Sequence, residues 1–133
     1  MSSRFGSTMV ILVAASLPAV PAFSHHSFAA VYQAEESISI EGKVVQFQYR
    51  NPHSVLHVLV MDAAGVEKRW AVEWQGASQL AAAGISPQTV HPGDPVIVTG
   101  HPGRIDAENR ILMVEIKRTT DNFSWKNGGG SLN

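Results

Sequence analysis

The sequence predicts an all-β domain with small α content, built as one small five-stranded barrel. Three observations carry that expectation. Five stretches alternate apolar and polar side chains between turn signals. One short Ala-rich segment, the only convincing helix, interrupts them between the third stretch and the fourth. The chain has 133 residues, which is room for one domain. A β-sandwich would need more strands, and an open α+β sheet is the alternative architecture.

The chain opens with a segment that reads as an address rather than as fold. Residues 1–8 carry one cation, Arg4; Met9 to Leu17 is an apolar run; Pro18 and Pro21 then break any helix. That is the pattern of a secretory signal, and the run is far short of the ~20 apolar residues that span a bilayer. Cleavage fits after Ala22 or after Ser24, and the second is favoured because it places Ala22 at the minus-three position. The alternative is an uncleaved anchor, against which the prolines and the short run count. Residues 1–24 are therefore expected to be a signal peptide. The mature chain, with no transmembrane span, is expected in the periplasm or secreted, beginning at His25.

Residues 25–36 read as an N-terminal arm with apolar Phe28, Ala29, Ala30, Val31 and Tyr32. The barrel is expected over residues 37–120. Ser37 to Tyr49 is a long first strand whose apolar phase changes beside Gly42, the mark of a bulge or sharp bend. Asn51-Pro52 signals a turn. Ser54 to Met61 is the second strand, apolar on both faces except for His57, and Asp62 to Gly65 turns the chain into Glu67–Trp74. On that third strand Trp70, Val72 and Trp74 share one face, with Arg69, Ala71 and Glu73 on the other. Ser78 is the expected N-cap of a helix over Ser78–Ala83, and Gly84 its stop. Pro95 to Gly100 and Arg110 to Lys117 are the last two strands; in the latter Ile111 and Met113 oppose Leu112, Val114 and Ile116. Residues 121–133 end in Lys-Asn-Gly-Gly-Gly-Ser and read as a flexible tail. The resulting order, β-β-β-α-β-β, is that of an OB-like barrel.

Composition excludes some functions. There is no cysteine, so neither a disulfide nor a thiolate site is available. The formal charge is −1; cleavage after Ser24 removes Arg4 and leaves 9 cations against 11 anions, or −2. Nucleic acid is not an expected partner, because its phosphates demand a basic field. Neither a GxSxG elbow, a P-loop nor an HExxH is present, so the sequence identifies no reaction.

Six histidines supply the chemistry. A mature chain starting at His25 offers its α-amine and ring nitrogen to one metal, and His26 adds a second imidazole. Amine and imidazole nitrogens suit copper, with zinc second. Cleavage after Ala22 would make the pair ordinary, a solvated pair in an arm. His53 lies between strands one and two and His101 begins the loop between strands four and five; these loops flank the binding face of OB barrels. The metal candidates are therefore His25, His26, His53 and His101. His53 and His57 would stand about 13 Å apart on one strand, too far to share an ion. The ligand-binding candidates are Trp70, Trp74, His57 and Glu73. The tryptophans offer rings for stacking, with core packing the favoured reading. Glu73 is placed to pair with Arg69 or to orient a histidine, and His57 reads equally as a core histidine.

The motif His25-His26-Ser27-Phe28-Ala29-Ala30, with Gly42, Asn51-Pro52-His53, Asp62, Gly65, Trp70-Ala71-Val72-Glu73, Leu80, Gly84 and Pro92-Gly93-Asp94, covers most of residues 25–104. With these residues the chain resembles a family of uncharacterised exported bacterial proteins, a domain of unknown function. The resemblance implies a shared small barrel and export, and no activity. His25, His26, His53 and Glu73 fall on matching positions. The chain departs from the pattern at Gln33-Ala34-Glu35-Glu36 and at Trp74, where glycine is common.

The expectation is an exported binding or accessory protein that holds copper at an N-terminal histidine site. The alternative is an interaction module without metal, docking on a membrane-bound or exported protein through its barrel face. A third reading is a small hydrolase or isomerase using His57 with Glu73.

Overall fold

The computed structural model describes residues 25–128, with side chains from Phe28 onward. The expected signal peptide and residues 129–133 lie outside that range. The elements are α1 (His25–Val31), β1 (Ile38–Gln48), β2 (Val55–Met61), β3 (Glu67–Glu73), α2 (Ala77–Ala82), β4 (Pro95–Pro102), β5 (Arg110–Arg118) and β6 (Ser124–Lys126), with one 3-10 turn at Asp106–Glu108. Among the described residues no helix is long and apolar enough to cross a membrane.

The sheet runs β3-β2-β1-β4-β5-β6, and β3 also pairs with β5. That last pairing closes β1 to β5 into the expected five-stranded barrel. It is parallel and short, with rungs Ala71↔Arg110, Val72↔Ile111 and Glu73↔Leu112; the other pairings are antiparallel. Inward residues from every barrel strand meet in one core: Ile40, Val44, Leu56, Val58, Val72, Val96, Val98, Ile111, Met113 and Ile116 are all below a tenth exposed. Leu80, Ile85 and Val90 cap it from the β3–β4 connection.

Two bulges set the phase of the long strands. On β1 the register against β2 slips between Val44 and Gln46, so Val45 is the extra residue and the phase changes there rather than at Gly42. Gly42 instead allows β1 and β2 to approach closely, since a Cβ on it would lie 2.1 Å from the Leu59 carbonyl oxygen. On β5, Glu115 pairs with Thr99 but Met113 with Gly100, so Val114 is extra. Ile116 consequently joins Ile111 and Met113 in the core instead of opposing them as alternation had suggested.

The cap of α2 also differs from expectation. The helix starts after Gly76, and Ser78 lies inside it. Asn51, in the β1–β2 turn, supplies the capping oxygen from another part of the chain: its Oδ1 accepts the Ser78 N–H at 3.2 Å, and the Arg50 carbonyl accepts the Ala77 N–H at 3.0 Å. Gly84 stops the helix as expected, with φ +78°.

Order continues past the expected start of the tail. Ser124–Lys126 pairs with β5, and Trp125 is 4% exposed, its ring 5.2 Å from that of Trp74 in an edge-on contact. One large aromatic side chain is enough to dock a three-residue strand that its polar neighbours disguise.

Candidate functional site

The closing rung determines where the site lies. β3 and β5 separate beyond Glu73↔Leu112, and the gap is a cleft of about 490 Å³ whose walls include Phe28, His53, Glu73, Trp74, Gln79 and His101. The arm folds back over this end of the barrel. Tyr32 bridges to Gly103; Gln33 N–H donates to the Pro102 carbonyl at 2.9 Å, and Arg104 Nε to the Ala29 carbonyl at 2.9 Å.

Glu73 is the hub. Its side chain points outward from β3, opposite the inward Val72. Oε2 accepts the Tyr32 hydroxyl at 2.5 Å, and Oε1 lies 2.8 Å from His53 Nδ1. Burial, and then the bond to Glu73, push the Tyr32 phenol above its ordinary value, so it remains a donor. The Phe28 ring sits 5.1 Å from the His53 ring, and the Arg110 guanidinium 6.0 Å from the Tyr32 ring. The Asn51–Pro52 bond that leads into His53 is cis.

His101, near the end of β4, turns its Nδ1 to the Glu36 carbonyl oxygen at 2.7 Å. His53 and His101 thus share one cleft, each with Nδ1 against an oxygen acceptor. That leaves each Nε2 as the nitrogen that can ligate. A metal-binding histidine is held the same way, by an acceptor behind its other nitrogen. Among the described residues no three histidine or carboxylate side chains are close enough to hold an ion. The side chains of His25 and His26 lie outside the described residues, although their backbone forms the first turn of α1.

The other candidates are placed as follows. Trp74 is 2% exposed and stacks on Phe47 with centroids 5.6 Å apart, so its ring belongs to the core while also lining the cleft. Its Nε1 is buried without a partner. Trp70 packs against the same core from a half-buried position. His57 is on the outer face, paired across the sheet with Gln46 and Ala71. Its Nδ1 is also buried without a partner. Burial first, then the charges of Arg69 and Arg50, hold its pKa below the ordinary value. Glu73 commits its oxygens to Tyr32 and His53, so the His57–Glu73 pair considered for acid–base chemistry is not formed. Arg69, considered as a partner of Glu73, donates instead to Gln46 Oε1 at 2.8 Å.

Tyr32, Arg50 and Arg110 were not singled out from the sequence. The one signal for Tyr32 was a tyrosine inside an apolar arm; nothing local to Arg50 or Arg110 announces that they approach Glu73.

A family model described as a family of unknown function (DUF6152) matches residues 12–111. The chain belongs to that family. The matched span includes Tyr32, His53, Glu73, His101 and Arg110, the residues that build this end of the barrel. It agrees with the resemblance read from the sequence to a family without an assigned activity. No curated protein matches the chain.

Proposed function

We propose that the protein is an exported, periplasmic binding or accessory protein that holds a copper ion, with zinc the second choice, in the cleft where β3 and β5 part. The observation that carries this reading is the common presentation of His53 and His101. Both line one cleft, and both have Nδ1 engaged by oxygen, at 2.8 Å and 2.7 Å. Two imidazoles held this way form half of a nitrogen-rich site of the kind copper prefers. His25 and His26 supply the other half, with the α-amine if the mature chain starts at His25. They open the helix whose Phe28 lines the same cleft.

Isothermal titration of the mature chain with Cu(II), then Zn(II), tests the reading. The expected result is one equivalent of Cu(II) bound at least tenfold more tightly than by a peptide of sequence His-His-Ser-Phe-Ala-Ala, with affinity lost on His53→Ala combined with His101→Ala. Affinity equal to the peptide's, or unchanged in the double variant, would refute it. Intact mass of the exported protein tests the start: a mass beginning at Phe23 removes the His25 amine from the site.

A further inference from the structure

The outer face of the barrel carries a second group of side chains that the metal reading does not use. Register places Gln46, His57, Ala71 and Arg110 in one row across β1, β2, β3 and β5. Side chains of register partners lie on the same face. Ala71 is the low point of that row, and its neighbours two residues away on β3 are Arg69 and Glu73. Arg69 is fixed by Gln46 Oε1. Arg50 enters from the β1–β2 turn with its backbone held: Ser54 Oγ accepts its N–H at 3.2 Å, and its carbonyl accepts from Ala77 at 3.0 Å. Arg50 and Arg110 line a single cleft of about 370 Å³, whose wall also includes Val55 and Glu73.

The charge balance of this face is lopsided. Arg50 and Arg110 share one cleft on it and Arg69 stands on the same face, in a chain whose overall charge is −1. Glu73 shares the wall of this cleft and is hydrogen-bonded by Tyr32 and His53 rather than by either arginine. Arg110 reaches a carboxylate only at the exposed rim, where Glu108 lies 3.4 Å away, and Arg50 has no side-chain partner among the described residues. His57 Nδ1 adds a buried polar atom without a partner on the same face. Guanidinium forks left without carboxylates are the groups that grip oxyanions through two parallel N–H donors.

We infer that the cleft walled by Arg50 and Arg110, beside the outer face of β2 and β3, binds a small oxyanion, a phosphoryl or carboxylate group, between those two guanidiniums. The site is separate from the imidazole cleft and shares with it only the His53–Glu73 wall.

The test is an amide-resolved NMR titration of the mature chain, in a buffer without oxyanions and at low salt, with inorganic phosphate and separately with succinate. The expected result is saturable shifts centred on Arg50, Val55 and Arg110 with at least one probe. Arg50→Gln and Arg110→Gln each weaken binding at least tenfold, whereas Lys126→Gln on β6 leaves it unchanged. Phosphate alone binding assigns a phosphoryl ligand; succinate alone, a carboxylate. Each variant's own spectrum reports whether the fold is intact. His101→Ala keeps oxyanion binding, which separates this inference from the copper reading. No saturable shift with either probe, shifts spread over all basic residues, or full affinity in both the Arg50 and Arg110 variants would overturn the assignment.

Discussion

Replacing Tyr32 by phenylalanine removes one oxygen and keeps the ring that fills the space beneath the arm. Tyr32 is 2% exposed, and its hydroxyl donates to Glu73 Oε2, whose side chain is 17% exposed. A hydrogen bond to a charged acceptor contributes about 1.5–3 kcal/mol. Because water reaches Glu73 in part, the lower half of that range applies, ~2 kcal/mol. A domain of about 100 residues unfolds with an entropy near 0.2 kcal/mol/K, so the thermal midpoint falls by about 10 °C. The chain contains its own control. The Tyr49 hydroxyl contacts two neutral carbonyls, Ala77 at 2.8 Å and Ile85 at 3.0 Å. One proton serves only one of them fully, so Tyr49→Phe costs about 1 kcal/mol. Urea unfolding followed by tryptophan fluorescence measures both. The Tyr32→Phe penalty also shrinks in a Glu73→Gln background, because the charged acceptor has gone. If Tyr32→Phe costs no more than Tyr49→Phe, or costs the same with and without the Glu73 carboxylate, then Glu73 does not anchor the arm.

Two further predictions concern the rest of the barrel. Burial raises the pKa of Asp94, but the His91 N–H and the Arg118 guanidinium, at 2.8 Å, outweigh it and hold the carboxyl below its ordinary value. A depressed pKa contributes stability that is present above the unfolded value of about 4 and is lost as pH falls through the folded value. Asp94→Asn therefore lowers stability by about 1 kcal/mol at pH 7, screened as the pair is, and flattens the acid limb of an unfolding free-energy profile from pH 6 to pH 2. An unchanged acid limb would contradict the pairing. Trp125→Ala removes a side chain that is 4% exposed and in contact with Trp74; large aromatic truncations in a core cost about 3–5 kcal/mol. A urea midpoint that barely moves would mean that β6 is not docked.

What was legible in the sequence was whatever alternation alone determines. Strands β2 to β5 start or end within two residues of the expected positions, because turn residues bracket each one and a single period runs between them. Val45 and Val114 were not legible as bulges. An inserted residue shows only against its partner strand, and in isolation both look like ordinary members of an apolar run. The cap of α2 was misplaced for a related reason: the oxygen comes from Asn51, 27 residues away, so no local pattern encodes it. β6 was hidden because one tryptophan among Ser, Lys, Asn and Gly carries no period. In the site, His53 and Glu73 were visible as residue types in the expected turn and strand, whereas His101, expected to open the β4–β5 loop, lies within β4, which runs on to Pro102. Tyr32 is joined to Glu73 across 41 positions of chain, and that contact is a property of the closed barrel and of no segment of it.

The chemistry collects at this end of the barrel for a structural reason. A five-stranded barrel of this order must close through one parallel pair, β3 with β5, and that pair is only three rungs long. At its last rung the backbone ladder stops and the strands diverge, so polar groups there face a gap instead of a neighbouring strand. Glu73 occupies that rung. Because its side chain points outward, it meets the returning arm through Tyr32 and the β1–β2 turn through His53. Both of its oxygens are thereby engaged by groups of this chain. On one side of it His53 and His101 line one cleft; on the other Arg50 and Arg110 line a second. One carboxylate at the end of a short ladder thus stands between the imidazole cleft in which we propose a metal and the guanidinium cleft in which we propose an oxyanion. Both follow from where β3 and β5 let go of each other.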